Sequence, residues 1–244
     1  MRLQGSVVPI EQVSREDRDT MYSLMTVCYA NIHRAAFEAD LDAKHWVMQL
    51  RSRTTGELIG FSSQVLLQVE VSNVTIDALY SGDTVVDPRH WGDPALAHAW
   101  GNFAMDLINR NAGHPLYWFL TSKGFRTYRF LPLFFHEFYP RTGVPTPSWE
   151  RAVLNALGRR VAPSRFDRRT QIIHADGAKD FLKPEIGTPQ SRTTNDLHVR
   201  FFVENNPGHA QGDELCCVAP LSAENFTRAA YRMINLSVGD LQPT

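Results

Sequence analysis

The side chains able to do chemistry cluster around two short stretches. Asp83 follows Gly82, and Ser81 precedes it; three residues on, Val86-Asp87-Pro88-Arg89-His90-Trp91-Gly92-Asp93-Pro94 leads into an apolar-periodic run. A helix amino terminus exposes unpaired N–H groups and the positive end of its dipole, so this second stretch could hold an anion, with Gly92 allowing close backbone approach. The continuous apolar run Leu116-Tyr117-Trp118-Phe119-Leu120 ends at Thr121-Ser122-Lys123-Gly124. Carboxyl ends of buried strands are where α/β sheets hold ligands, so Ser122 and Lys123 could bind a carbonyl or a carboxylate. Asp83 and His90 could move protons. Ser81 with Asp83 and a histidine, or Ser122 with Lys123, could also form a nucleophile and base, but no G-x-S-x-G sequence supports a serine hydrolase. His209, in Asn206-Pro207-Gly208-His209, could fold over a substrate. Each has a plainer alternative: a turn-bonded aspartate, a loop histidine, an ordinary turn.

The elements that must position these groups follow from periodicity. Ser14 with Asp17 forms a cap for a helix over about residues 15–31, whose Met21, Leu24, Met25 and Cys28 recur at helical spacing. Residues 45–51 read as a strand. Alternation predicts strands over 58–71 and 74–86, joined at Ser72-Asn73, with Gly82 marking a bulge or close approach. Asp93 and Pro94 start a helix containing Leu96, Trp100, Phe103 and Leu107. Leu116–Leu120 predicts a strand buried on both faces. The aromatic-rich segment 126–139 predicts a helix that Pro132 kinks or delays. Residues 141–196, more polar, with several prolines and one helix near 149–157, read as an insertion. Residues 198–203 and 214–219 predict two closing strands, followed by a last helix holding Phe226, Ala230 and Met233.

This order resembles the GNAT acyltransferase superfamily, and Val86-Asp87-Pro88-Arg89-His90-Trp91-Gly92 is similar to its V-x-P-x-x-x-G segment at the end of the fourth strand. The resemblance implies a single α/β (α+β) domain over residues 1–244: a mixed, mostly antiparallel central sheet flanked by helices, interrupted by the 141–196 insertion. It implies an acyltransferase using acyl-CoA or an acyl-phosphopantetheine carrier as co-substrate, without metal. A small amine or hydroxyl would be the acceptor. The fourth and fifth strands, 79–86 and 116–120, would part to admit the pantetheine arm. Donor binding would fall to Val85, Val86, Arg89, Gly92 and Ala95; catalysis to Asp83, His90 and Tyr128, the last as acid beside the thiolate; acceptor binding to Ser81, Ser122, Lys123 and His209.

Arg89, His90, Trp91 and Gly92 match the first four places of that family's Q/R-x-x-G-x-G/A loop, whereas the sixth is Pro94 and the fifth, Asp93, is a carboxylate. A capping carboxylate occupies the N–H groups that a diphosphate needs. Two readings follow: a donor on an acyl carrier protein, bringing a single phosphodiester as in the similar N-acyl amino acid synthases and acyl-homoserine-lactone synthases, or a non-catalytic binding protein.

Composition narrows the field further. A net charge of −1 provides no field to attract nucleic acid. With 43% hydrophobic and 21% charged residues, the chain should bury an ordinary core. The amino end lacks a signal-peptide core and no stretch approaches a membrane span, so the cytoplasm is the expected compartment. Cys28, Cys216 and Cys217 offer no C-x-x-C metal spacing. The aromatics of 118–139 would suit a long acyl chain or simply fill a core.

Overall fold

The computed structural model describes residues 3–111, 113–189 and 193–234. In chain order they form β1 (Leu3–Pro9), α1 (Arg15–Cys28), β2 (Tyr29–Ala30), α2 (Arg34–Asp42), β3 (Trp46–Ser52), β4 (Leu58–Val71) and β5 (Val74–Val86). There follow α3 (Ala95–Arg110), β6 (Leu116–Ser122), α4 (Phe125–Tyr128), α5 (Phe130–Phe134), α6 (Ser148–Val161), β7 (Phe166–Asp167) and β8 (Ile172–Ile173). The chain closes with β9 (Phe181–Leu182), α7 (Pro184–Gly187), α8 (Leu197–Asn205), β10 (Glu214–Pro220) and α9 (Arg228–Ile234). The large sheet has the order β1-β3-β4-β5-β6-β10-β8-β7, and β2 pairs with β9 in a separate small ladder. Every pairing is antiparallel except β5 with β6. The fold is thus a mixed α/β one, with a large, mostly antiparallel sheet flanked by helices.

Local chemistry explains the frame. Ser14 Oγ accepts the N–H of Asp17 at 3.1 Å and starts α1. Its apolar face, Met21, Leu24, Met25 and Cys28, packs with Phe37 and Leu41 of α2 over Phe61 and Val85. Ser72 and Asn73 take φ of 51° and 64°, the left-handed turn that joins two right-twisted strands, β4 and β5. On one face of the sheet, α3, α5 and α9 enclose Trp100, Trp118, Phe134 and Phe135; on the other, α6 covers Ile76, Phe119 and Val218.

Three expectations need correction. Residues 198–203 form helix α8, because Asp196 Oδ1 accepts the N–H of His198 at 2.9 Å and Val199 and Phe202 bury at helical spacing. The expected second closing strand is therefore absent there, and β8, from within 141–196, lies beside β10 instead. The helix expected over 126–139 is broken into α4 and α5, after which Tyr139 bridges to Val218. Pro132 has no N–H and fits only the first turn of a helix, so a new turn begins at Phe130. Finally, Leu3–Pro9, not anticipated as a strand, pairs along β3 from Leu3↔Ser52 to Pro9↔Trp46. Positions 190–192 of the 141–196 segment lie outside the described residues.

Candidate functional site

The parallel ladder between β5 and β6 runs from Asp77↔Leu116 to Ser81↔Leu120. Beyond it β5 stays with β4, through Ser62↔Thr84, Phe61↔Val85 and Gly60↔Val86, whereas β6 stays with β10, through Cys216↔Thr121 and Leu215↔Ser122. The two strands part because β5 carries a bulge. Between Ser62↔Thr84 and Gln64↔Ser81, the single residue Ser63 faces both Gly82 and Asp83. A bulge bends its strand and adds twist. Glycine leaves room at its first position: a Cβ on Gly82 would lie 2.7 Å from Ser63 Oγ and 2.8 Å from Lys44 Cε and would force both side chains to move.

The parting opens a mostly apolar cavity of about 480 Å³, whose walls include Ser81, Val85, Val86 and Gly92 on one side and Leu120 and Phe134 on the other. Ser81 Oγ donates to Gln64 Oε1 at 2.7 Å and accepts Trp118 Nε1–H at 2.9 Å, which fixes the floor. At the mouth, Gly92 takes φ of 93°, and Trp91 Nε1 donates to Val86 O at 2.9 Å. The turn uses its own polar groups heavily. Asp87 Oδ1 accepts Arg89 N–H at 2.9 Å, Asp93 Oδ1 accepts Ala95 N–H at 2.9 Å, and the N–H groups of His90 and Asp93 donate to loop carbonyls. Arg126 lies over the Trp91 ring, 4.5 Å from its centroid, donates to Ile186 O, and forms no ion pair among the described residues.

A second cavity, of about 320 Å³, adjoins the first: Tyr29, Gly82, Thr84, Thr121, Gly124 and Thr127 belong to both walls. Asp83, flanked by two of these shared residues, faces the second cavity. Its carboxyl has no hydrogen bond or ion pair among the described residues. Burial, and next the nearby Asp40, push it up to about 6. Lys123 Nζ donates to Asp180 Oδ2 at 2.5 Å and lies 3.8 Å from Glu214 Oε1. Burial pulls the Lys123 ammonium down, yet Glu214, Asp180 and Asp83 together hold it above its ordinary value. Asp180 is held low: burial pushes it up, but Lys123 and Lys179 outweigh that. Burial, with the acidic neighbours Asp83 and Asp180, keeps the Tyr29 phenol neutral, well above its ordinary range.

The structure brings part of the expected set together. Ser81, Val85, Val86, His90 and Gly92 line the first cavity, and Asp83 and Lys123 the second. Other expected residues fall elsewhere. Tyr128 is fully buried, donates to Pro140 O at 2.9 Å and stacks on Phe201, so its hydroxyl reaches neither cavity. Helix α4 turns it inward, towards α8. Ser122 is buried and donates to Gly124 O at 2.8 Å, away from Lys123, which leaves no Ser-Lys nucleophile pair. Lys123 is committed to Asp180 and so is not free to hold an acceptor carboxylate. Arg89 is engaged by Asp87 at 2.6 Å on the surface. Ala95 contributes an N–H already capped by Asp93. His209 packs on Phe202, 5.6 Å between ring centroids, and burial lowers its pKa.

Sequence reasoning missed Tyr29, Asp40, Arg126, Asp180 and Glu214. Asp40 and Asp180 come from an α2 segment and a loop that share no motif with β5. Tyr29 was missed because the first helix was expected to run to about residue 31, whereas α1 ends at Cys28 and Tyr29, in β2, pairs with Leu182.

No family model matches the sequence, and no curated protein matches it. Among solved structures it is similar to a conserved protein from Enterococcus faecalis (14% identity, TM-score 0.42), with 57% of this chain covered. The chain spans only 33% of that protein's length. It is also similar to a GNAT family N-acetyltransferase from Escherichia coli in complex with CoA (14% identity, TM-score 0.39), covering 53% of this chain and 68% of the other. A third, glucosamine-6-phosphate N-acetyltransferase from Arabidopsis thaliana, shares 14% identity at a TM-score of 0.39, over 61% of this chain and 99% of its own.

Proposed function

We propose that this protein is a GNAT-like acyltransferase that moves an acyl group from a pantetheine thioester to an amine. The observation that carries this reading is the end of β5–β6 pairing at Ser81 and Leu120, after which Gly82, Thr84, Val85 and Val86 line a cavity with β6 no longer paired beside them. A pantetheine arm carries two amides, and a free strand edge satisfies amides as a neighbouring strand would. The thioester carbonyl then lies where the two cavities meet.

The acceptor ammonium gives one proton to Asp83 and becomes nucleophilic. Its nitrogen forms the bond to the carbonyl carbon, the carbon–sulfur bond breaks, and the second proton leaves with the thiolate as free thiol; Asp83 returns its proton to water. A carboxyl near 6 suits the base role at neutral pH, being mostly ionised yet still basic. The Tyr29 hydroxyl, held neutral, donates a hydrogen bond to the carbonyl oxygen as negative charge develops there.

The donor is acyl-CoA or an acyl carrier protein. The turn at 87–95 favours a single phosphate: Pro88 and Pro94 lack N–H groups, Asp93 takes the N–H of Ala95, and Arg126, at the mouth, has no ion pair among the described residues. Thiol release from acyl-CoA and acyl-carrier thioesters of several chain lengths, with amine acceptors, tests this proposal. Acceptor-dependent release is expected; no release from either donor by folded protein overturns it.

A further inference from the structure

We infer that the second cavity takes a protonated amine whose remaining skeleton bears no carboxylate or phosphate, so that amino acids and sugar phosphates are poor acceptors. This rests on the acyl-transfer reading and adds the acceptor's charge. Five carboxylates line the cavity, those of Asp40, Asp83, Asp176, Asp180 and Glu214, against two ammonium groups, Lys123 and Lys179, and the imidazole of His33. The full positive charges available to an anionic acceptor are the two ammonium groups. Lys123 is only 7% exposed and is held by Asp180 at 2.5 Å, with Glu214 at 3.8 Å; Lys179 lies 3.7 Å from the same Asp180. Drawing either towards a substrate carboxylate would weaken the pairing of Asp180, a partly buried carboxylate, which is costly. Outside the lining, Lys44 is paired with Asp40 at 2.8 Å and Arg165 with Asp176 at 3.8 Å, so neither cation is spare.

Asp83 is the carboxylate left over from these pairings, and it is the one next to the thioester site. The aromatic lining points to a cationic ligand. Tyr29 and Tyr80 also line the cavity, and each ring already has an ammonium near its face, at 5.3 Å and 5.5 Å, an environment suited to cations.

Calorimetric titration without donor separates this claim from acyl transfer, because it needs no turnover. The probes are 1,4-diaminobutane and ornithine, which share a carbon skeleton and differ by one carboxylate. The diamine is expected to bind at least about tenfold tighter, the effect of one uncompensated charge contact in a partly buried site. Asp40→Asn, which keeps an oxygen for Lys44, should weaken the diamine several-fold and leave ornithine little changed. Equal or tighter binding of ornithine, or no binding of either probe at millimolar concentration, overturns the inference. If the diamine binds as expected while no donor releases thiol, the acyl-transfer reading fails and the charge preference stands.

Discussion

Ser81 and Leu120 are the last residues at which the two parallel central strands pair, and each strand then follows a different neighbour. One bulge, at Gly82 and Asp83, both ends the pairing and presents an unpaired carboxyl beside the opening. Site formation and base placement therefore have one structural cause.

Gly82→Val should damage both. Its side chain would meet Ser63 Oγ and Lys44 Cε at under 3 Å. Overpacking of this kind costs about 1–3 kcal/mol, measurable by urea denaturation. Thioester turnover should be lost even where the variant remains folded.

Asp83→Asn should lower kcat/KM by about 10²–10⁴-fold, as expected for loss of a general base. Stability should move the other way. Because the folded-state pKa, about 6, lies above the ordinary 3.8, ionisation destabilises the fold: the group's contribution is complete below about pH 4 and is lost as pH rises through 6. The variant should thus be more stable than the parent at pH 7.5, by at most about 3 kcal/mol, and equal to it near pH 3.5. Paired denaturation curves at the two pH values check this.

The same carboxyl sets the pH dependence of turnover. In the parent, kcat/KM should fall as pH drops through about 6, the value at which Asp83 takes up its proton. A profile measured with a fixed acceptor should lose that limb in Asp83→Asn. An acid limb that persists unchanged in the variant would assign the base elsewhere.

The two tyrosines separate by role. Tyr128→Phe removes the donor to Pro140 O and should cost about 1–2 kcal/mol of stability, with kcat/KM unaltered. Tyr29→Phe should lower kcat by about 10²-fold with little change in KM.

How much of this could be read beforehand depended on how local the determinants were. The Ser14 cap, the Ser72-Asn73 turn and the alternation of β4 and β5 act within a few residues, and each was legible. So was Gly82 as an irregularity. The strand expected at 198–203 misled because Asp196 caps a helix just before it, and a cap with two buried residues three apart outweighs the strand preference of a short valine- and phenylalanine-rich run. Tyr128 misled for a different reason: its orientation is set by α8 packing on α4, a contact across more than seventy residues. The acidic wall was illegible, since Asp40, Asp83, Asp180 and Glu214 come from four separate segments and converge only through the fold.

The central claim is that a thioester arm occupies the gap between β5 and β6. Crystallising the protein with a pantetheine analogue in which a methylene ketone replaces the thioester tests it most directly. The amides of the arm are expected along Gly82–Val86, with the ketone oxygen near Tyr29 and the adjoining carbon facing Asp83. An analogue bound elsewhere, or a gap filled by side chains from Leu120 and Phe134 in its presence, would contradict the account.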